Sequence, residues 1–277
     1  MKFKTIFIIF NIVIIFSFLF IFFMPLILLG GEHFSAFFLK NWFIGILFLT
    51  TLGLFNLYFI NNWMLFSLLE KEDWAALIRY LEKRIYEEKS LRSHYVKILI
   101  NSYLVTSNLK GIMKLQNELS GRKPSLIQKH ALQFGIPYLL DNKPEESEKY
   151  FGKLLSSTKV RDVLWIRWNY AFSILQLKQA EGAKIEFLKL LDFSKEPIVC
   201  LLSLYLLNSF PASDVMLRVR VDAKINDFRR SYSTEQWKTR LERSKENIEV
   251  LILSKIIKEA SDWIFEYKPS AENQTVH

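Results

Sequence analysis

Hydrophobic positions fall along the chain in two regimes. Up to Leu69 apolar residues follow one another almost without relief, and residues 5–29 and 42–60 form two runs of the roughly 20 residues that a helix needs to cross about 30 Å of hydrocarbon. From Glu70 onward they recur at spacings of three and four, broken at SGRKPS, DNKPEE, SKEP and FPASD, which predicts helices throughout. Strand alternation is nearly absent. The one candidate, LRVRVD at 217–222, also fits a helical face through Leu217, Val221, Ile225 and Phe228, with Ser213 as N-cap. The expected fold class is all-α, with an N-terminal two-helix transmembrane hairpin over residues 1–69.

Charge sharpens the membrane reading. Only Lys2, Lys4, Glu32 and Lys40 are charged before Glu70, whereas a soluble fold of that length shows charge at every helical turn. Between the runs, GGEHFSAFFLKN reads as a short turn with one acid and one base. Asn11, Ser17 and Pro25 in the first span, and Gly45, Gly53 and Asn56 in the second, are tolerable in lipid when they face a neighbouring helix. A cleaved signal peptide is the competing reading. Its basic start is present in MKFK, but the apolar run exceeds the usual core of about 7 to 15 residues and no A-x-A-like site follows. Lys2 and Lys4 on one side of the hairpin, with Lys71, Arg79, Lys83 and Arg84 beyond the second span, put the large domain in the cytoplasm of a bacterial inner membrane. The alternative leaves that domain periplasmic.

Composition then excludes several classes. The chain has 277 residues, 37 of them basic and 28 acidic, so the part after Leu69 carries a net +7 with the signs interspersed. That excess suits anionic headgroups better than nucleic acid, since no basic stripe with interleaved aromatics occurs. A single cysteine, Cys200, excludes an intramolecular disulfide framework and reads as a small core residue. The histidines His33, His94, His130 and His277 form no HExxH or metal-spaced set, and no phosphate loop or G-x-S-x-G is present. No enzyme, cofactor, metal or small-molecule substrate is expected. His130 is expected at the surface, and Glu145 and Glu146 follow Pro144 at a helix start, where acids favour the macrodipole.

The region after the spans repeats. At an offset of 36 residues Leu99, Gly135 and Ala171 align, as do Ile98, Phe134 and Tyr170. After a turn Gly111, Ser147 and Ala183 align, followed by Leu115, Phe151 and Phe187, with Lys123, Lys159 and Lys195 near the ends. Small residues let two helices approach, and large ones fill the gap to the next pair. The segments FGIPY, SEKYF and AKIEF, with Pro124 and Pro197 near two ends, resemble the tetratricopeptide-repeat family. The period departs from that family's 34, and Ser102 and Ile174 stand where an aromatic would. Asp73 to Arg84, with Ala75 and Ala76, fits the second helix of a partial leading repeat.

The resemblance implies a tetratricopeptide-like α-solenoid over residues 70–210, closed by capping helices over 211–267 and a polar tail over 268–277. Toward the C-terminus, residues 197–210 and 213–230 read as two helices, and Ser233 with Gln236 opens a long helix to about Glu266 through a capping box. Its apolar stripe is Trp237, Leu241, Ile248, Ile252, Ile256, Ala260 and Trp263.

In such repeats the first helices line a concave groove, here Val96, Ile100, Tyr103, Leu132, Ile136, Leu139, Trp165, Trp168, Phe172 and Leu175. These are nearly all apolar, which disfavours a basic groove for a peptide carboxylate. Either a partner's amphipathic helix docks there with Trp165 and Trp168 as anchors, or the long C-terminal helix folds back and fills the groove. The implied function is a membrane-anchored scaffold or assembly factor for an envelope complex such as secretion, flagellar or cell-wall machinery, working through protein partners. The alternative is a transmembrane subunit of an enzyme or transporter complex recruited by its hairpin.

Overall fold

The computed structural model describes residues 3–157, 160–191, 196–211, 214–245 and 247–266, and the regular structure among them is helical without exception. Lys159, Lys195, Ser213 and the tail over 268–277, which figure in the sequence reading, lie outside the described residues. The chain divides into two compact units, Met1–Ser107 and Asn108–His277.

The first unit begins with α1 (Phe3–Leu29) and α2 (Gly31–Asn61). They run antiparallel: Phe18 stacks on Phe48 with ring centroids 3.8 Å apart, and Phe7 meets Phe59 at 5.3 Å. The expected turn over GGEHFSAFFLKN is instead the start of α2. Gly30 alone separates the helices, at φ 81°, a left-handed conformation that lets one residue end a helix without a loop. Two segments, Lys4–Leu28 and Phe38–Asn61, are long and apolar enough to cross a membrane. Their outer faces expose Phe16, Ile27, Leu39 and Leu47, a surface that water would oppose and lipid accepts.

Inside the hairpin the polar positions answer one another. Asn56 Nδ2 donates to Asn11 Oδ1 at 2.8 Å and to Leu52 O, while Asn11 Nδ2 donates to Phe7 O. A Cβ on Gly45 would just reach Phe22 at 4.0 Å, so this glycine does face α1. Ser17 and Gly53 do not face the partner helix as expected; both are on the exposed side.

Three further helices complete this unit: α3 (Trp63–Glu70), α4 (Trp74–Glu82), which continues as a π-helical turn over Lys83–Glu87, and α5 (Ser93–Val105). Their shared interior contains Leu77, Leu81, Ile85 and Leu99, all fully buried. Asn62 closes α2 and opens α3; its side chain is buried and accepts a hydrogen bond from Tyr95 Oη at 3.2 Å.

The second unit contains α6 (Leu109–Arg122), α7 (Pro124–Lys129), α8 (Ala131–Leu140), α9 (Pro144–Leu155), α10 (Val163–Gln176), α11 (Ala180–Leu190), α12 (Pro197–Asn208) and α13 (Val215–Ser231). Pro124, Pro144 and Pro197 open their helices at the first turn, where the missing N–H costs nothing. Asp214, not Ser213, caps α13 by accepting from Leu217 N at 3.0 Å. Leu217, Val221, Ile225 and Phe228 form its buried face.

A local motif recurs in both units. Glu72, Ser107, Asn142 and Lys178 adopt left-handed backbone at φ 52–61°, each in the three-residue turn between consecutive helices, at steps of 35, 35 and 36 residues. In three of these turns the next N–H bonds back five residues: Asp73 to Leu68 O, Lys143 to Tyr138 O and Gln179 to Ile174 O, at 3.0–3.2 Å. None of the four is glycine, although left-handed backbone costs about 1–2 kcal/mol for an ordinary residue. The recurrence of one strained turn is therefore independent of the side-chain alignment that pointed to a 36-residue period.

That alignment has a packing basis. Leu99, Gly135 and Ala171 are buried, as are Gly111, Ser147 and Ala183, and Leu115, Phe151 and Phe187 have no exposed surface. At the α8–α9 pair a Cβ on Gly135 would lie 2.3 Å from Phe151 Cζ, so only glycine admits that ring. At the next pair Ser147 and Ser173 share a buried hydroxyl contact of 2.7 Å.

The C-terminal segment departs from the sequence reading. The expected single helix is three, α14 (Thr234–Ser244), α15 (Ile248–Ile252) and α16 (Ser254–Glu266). The capping box of Ser233 with Gln236 is present, but Asn247 is extended, at φ −85° and ψ 125°, and interrupts the helix. The interruption rotates the apolar face, so Val250, Ile257, Ala260 and Ile264 are buried while Ile248, Ile252, Ile256 and Trp263 are half-buried.

Candidate functional site

The residues expected to line an open groove are interior. In the first unit Val96, Ile100 and Tyr103 have no exposed surface, and Tyr103 Oη donates to Glu82 Oε1 at 2.7 Å. Burial, then the Glu82 carboxylate, pushes the Tyr103 phenol far above its ordinary range. In the second unit Leu132, Ile136, Trp165 and Trp168 are buried, and Leu139, Phe172 and Leu175 are half-buried.

Within the second unit the C-terminal segment lies against part of this face: helix α15 packs on α8, and α16 packs on α12 and α13. Gln133 Nε2 reaches Glu249 Oε1 at 3.3 Å, Arg229 Nε donates to Ile264 O at 2.6 Å, and the Tyr205 and Trp263 rings meet at 5.6 Å. Trp165 and Trp168 share one continuous buried cluster with Val250, Ile257, Ala260 and Ile264. Trp168 stacks on Phe172 at 5.2 Å, and its Nε1, like Asn169 Oδ1, is buried with no hydrogen-bond partner among the described residues. Two other sequence expectations also change: His130 is buried and not at the surface, and Cys200 is half-buried beside a hollow of about 220 Å³.

An apolar cleft in this unit lies elsewhere, between α14 and α16. It encloses about 540 Å³ over a floor of Trp237, Leu241, Val250, Ile257 and Phe265. That size suits a bulky side-chain cluster or a small ligand. Trp237 is fixed at its base: Nε1 donates to Ser261 Oγ at 2.9 Å, and the ring meets Phe228 edge-on at 5.0 Å. Lys238, Lys245 and Lys258 stand on the rim against Glu242, Asp262 and Glu266, with Lys245 and Glu242 paired at 2.6 Å. Opposite charges in equal number give the rim no net preference for an anion or a cation. What the cleft offers is apolar area at a short helix pair. Sequence reasoning missed it because it exists only where Asn247 breaks the expected long helix.

Among the described residues, no three His, Cys, Asp or Glu side chains come together as a metal site would require. A partly buried ion pair inside the second unit joins Arg167 and Glu186 at 2.6 Å, with Lys189 also 2.6 Å from Glu186. Burial works to raise the Glu186 carboxyl, yet the hydrogen bonds from Lys189 and Arg167 outweigh it and hold the group below its ordinary value.

Comparison with known proteins places these helices in a lineage. A relative in Treponema pallidum (strain Nichols), described as an uncharacterized protein, is 28% identical over 236 residues, covering 80% of this chain and 75% of its own length. No solved structure matches. A family model described as "Uncharacterised Treponema protein" matches residues 111–266, from the first turn of α6 to the end of α16. The matched range includes the residues that form the cleft between α14 and α16, and the tetratricopeptide resemblance is carried by the residue pattern alone. By that match the chain belongs to the uncharacterised Treponema protein family.

Proposed function

We propose that the protein is a membrane-anchored interaction scaffold: a two-helix hairpin holds a tetratricopeptide-like solenoid at the inner membrane, on its cytoplasmic side, where it assembles protein partners of an envelope complex. The observation that carries this reading is the left-handed turn that recurs between consecutive helices at residues 72, 107, 142 and 178, with the small-on-large contact of Gly135 and Phe151 in the helix pair joined at 142. Such units have no catalytic apparatus of their own and act by presenting surface. The partner-binding surface is the apolar cleft between α14 and α16, because the first-helix residues are interior. Its occupant is an apolar anchor from a partner, with the mixed rim setting register more than affinity.

Full-length protein carrying a photo-crosslinking residue at Leu251, an exposed lining position, is expected to capture a partner in the cell, and Leu241→Glu is expected to abolish capture with thermal stability retained. Capture that survives Leu241→Glu but disappears when residues 1–69 are exchanged for an unrelated anchor would transfer recruitment to the hairpin. A reporter fused at the C-terminus and active only in cytoplasm tests the orientation.

A further inference from the structure

At the end of the hairpin where α2 passes into α3, the apolar spans stop and unpaired cations begin. The contacts of Phe7 with Phe59 and of Phe10 with Phe55, at 5.3 and 5.5 Å, fix the antiparallel register, and in that register Lys4 stands opposite Asn62 and Trp63. Phe7, one turn along α1 from Lys4, meets the Trp63 ring edge-on at 6.2 Å. On the other side Tyr95 bonds Asn62 Oδ1, and the Arg92 guanidinium lies over the Tyr95 ring, 5.9 Å from its centroid. Arg92 is therefore one tyrosine ring away from the last residues of the span. Both Lys4 and Arg92 are exposed, and among the described residues no carboxylate pairs with either.

Cations at the edge of hydrocarbon without an acid partner meet phosphate, which is the anion present at that depth. A guanidinium matches two phosphate oxygens at once, and an ammonium adds a point charge. Tyr58 and Trp63 supply the amphipathic rings that settle at headgroup level. The opposite end of the hairpin has Lys40 and Trp42, both within α2 itself.

We propose that Lys4 and Arg92 each meet the phosphate of an anionic phospholipid headgroup at this end of the hairpin, with Trp63 against the glycerol and upper acyl region. The site rests on the membrane reading above and adds a lipid preference to it. A lipid is favoured over a soluble anion because Lys4 belongs to the apolar span Lys4–Leu28 itself, so the anion it meets is one anchored in the bilayer.

The test uses full-length protein reconstituted into vesicles of phosphatidylcholine alone or with added phosphatidylglycerol. Spin-labelled forms of each lipid report relative association through the motionally restricted component of their spectra. Phosphatidylglycerol is expected to be preferred, with the preference falling about fivefold for Lys4→Ala and again for Arg92→Ala, as one basic contact each implies. Lys40→Ala is expected to leave it unchanged, and millimolar inorganic phosphate to leave it intact. Incorporation without any preference, an equal loss in Lys40→Ala, or displacement by inorganic phosphate would each overturn the lipid site while the membrane anchor stands. Failure to enter either kind of vesicle would overturn the anchor and the site together.

Discussion

The Gly135→Ala variant probes the helix-pair packing at its tightest point. In a helix open to solvent this change stabilises by up to about 1 kcal/mol, because alanine is the better helix former. Here the added Cβ would sit 2.3 Å from Phe151 Cζ and 2.7 Å from Cε1. The ring has little room to retreat: Phe151 has no exposed surface, and Tyr150 meets it edge-on at 5.2 Å while its hydroxyl is tied to Ala131 O at 2.8 Å. Forcing a methyl into a filled core costs about 1–3 kcal/mol. The clash outweighs the propensity gain, so the expected result is a net loss of about 1–2 kcal/mol, or a few degrees in Tm. Gly121→Ala is the matched control, since a Cβ there meets nothing within 4 Å, and it is expected to hold or gain stability. Thermal unfolding of full-length protein in detergent, followed by far-ultraviolet circular dichroism, gives both values. Phe151→Leu in the Gly135→Ala background is expected to recover part of the loss, giving a favourable coupling near 1 kcal/mol. Equal stabilisation by the two alanines would refute close packing of α8 on α9 and, with it, the repeat reading.

Three other variants test neighbouring inferences. Trp237→Phe and Trp168→Phe remove the same atoms from two fully buried sites, but only Trp237 Nε1 has a partner, Ser261 Oγ; the Trp237 change is expected to cost about 1 kcal/mol more in urea unfolding, and equal costs would contradict the assigned hydrogen bond. Glu186 is held below its ordinary carboxylate range, so its contribution is full above the unfolded pKa of about 4.3 and is lost as pH falls through the folded value. The stability difference between wild type and Glu186→Gln should therefore be constant near neutrality and shrink on acidification; a difference that persists unchanged to pH 3 would show the ion pair with Arg167 to be inert. Asn11→Val leaves Asn56 with only Leu52 O, and the hairpin is expected to loosen by about 0.6 kcal/mol, read as faster hydrogen exchange across α1 and α2 in vesicles.

The sequence made some of this architecture legible and hid the rest for physical reasons. Two spans could be read because lipid tolerates no charge over twenty residues. The pairing of Gly135 with Phe151 was visible because a contact of small on large recurs at a fixed offset, and the box at Ser233 because its two hydrogen bonds are local. The groove residues were misplaced because helical phase identifies an apolar face without saying what covers it. In the second unit Val250, Ile257 and Ile264, far along the chain, join the same buried cluster as Trp165 and Trp168, and their phase depends on a break at Asn247 that no strong signal such as proline announces. His130 was expected outside for a similar reason: it sits at the junction of α7 and α8, where a kink at φ −116° turns it inward. Gly30 ended α1 without a loop because a left-handed glycine needs none, whereas polarity alone suggested a longer turn.

The anchor is the premise on which the scaffold and the lipid site both depend, and flotation of full-length protein with phospholipid vesicles, followed by extraction at alkaline pH without detergent, measures it directly. The expected result is that the protein rises with the vesicles and stays with them through extraction, as two helices buried in hydrocarbon require. Protein that remains soluble and monodisperse in the aqueous fraction would contradict it.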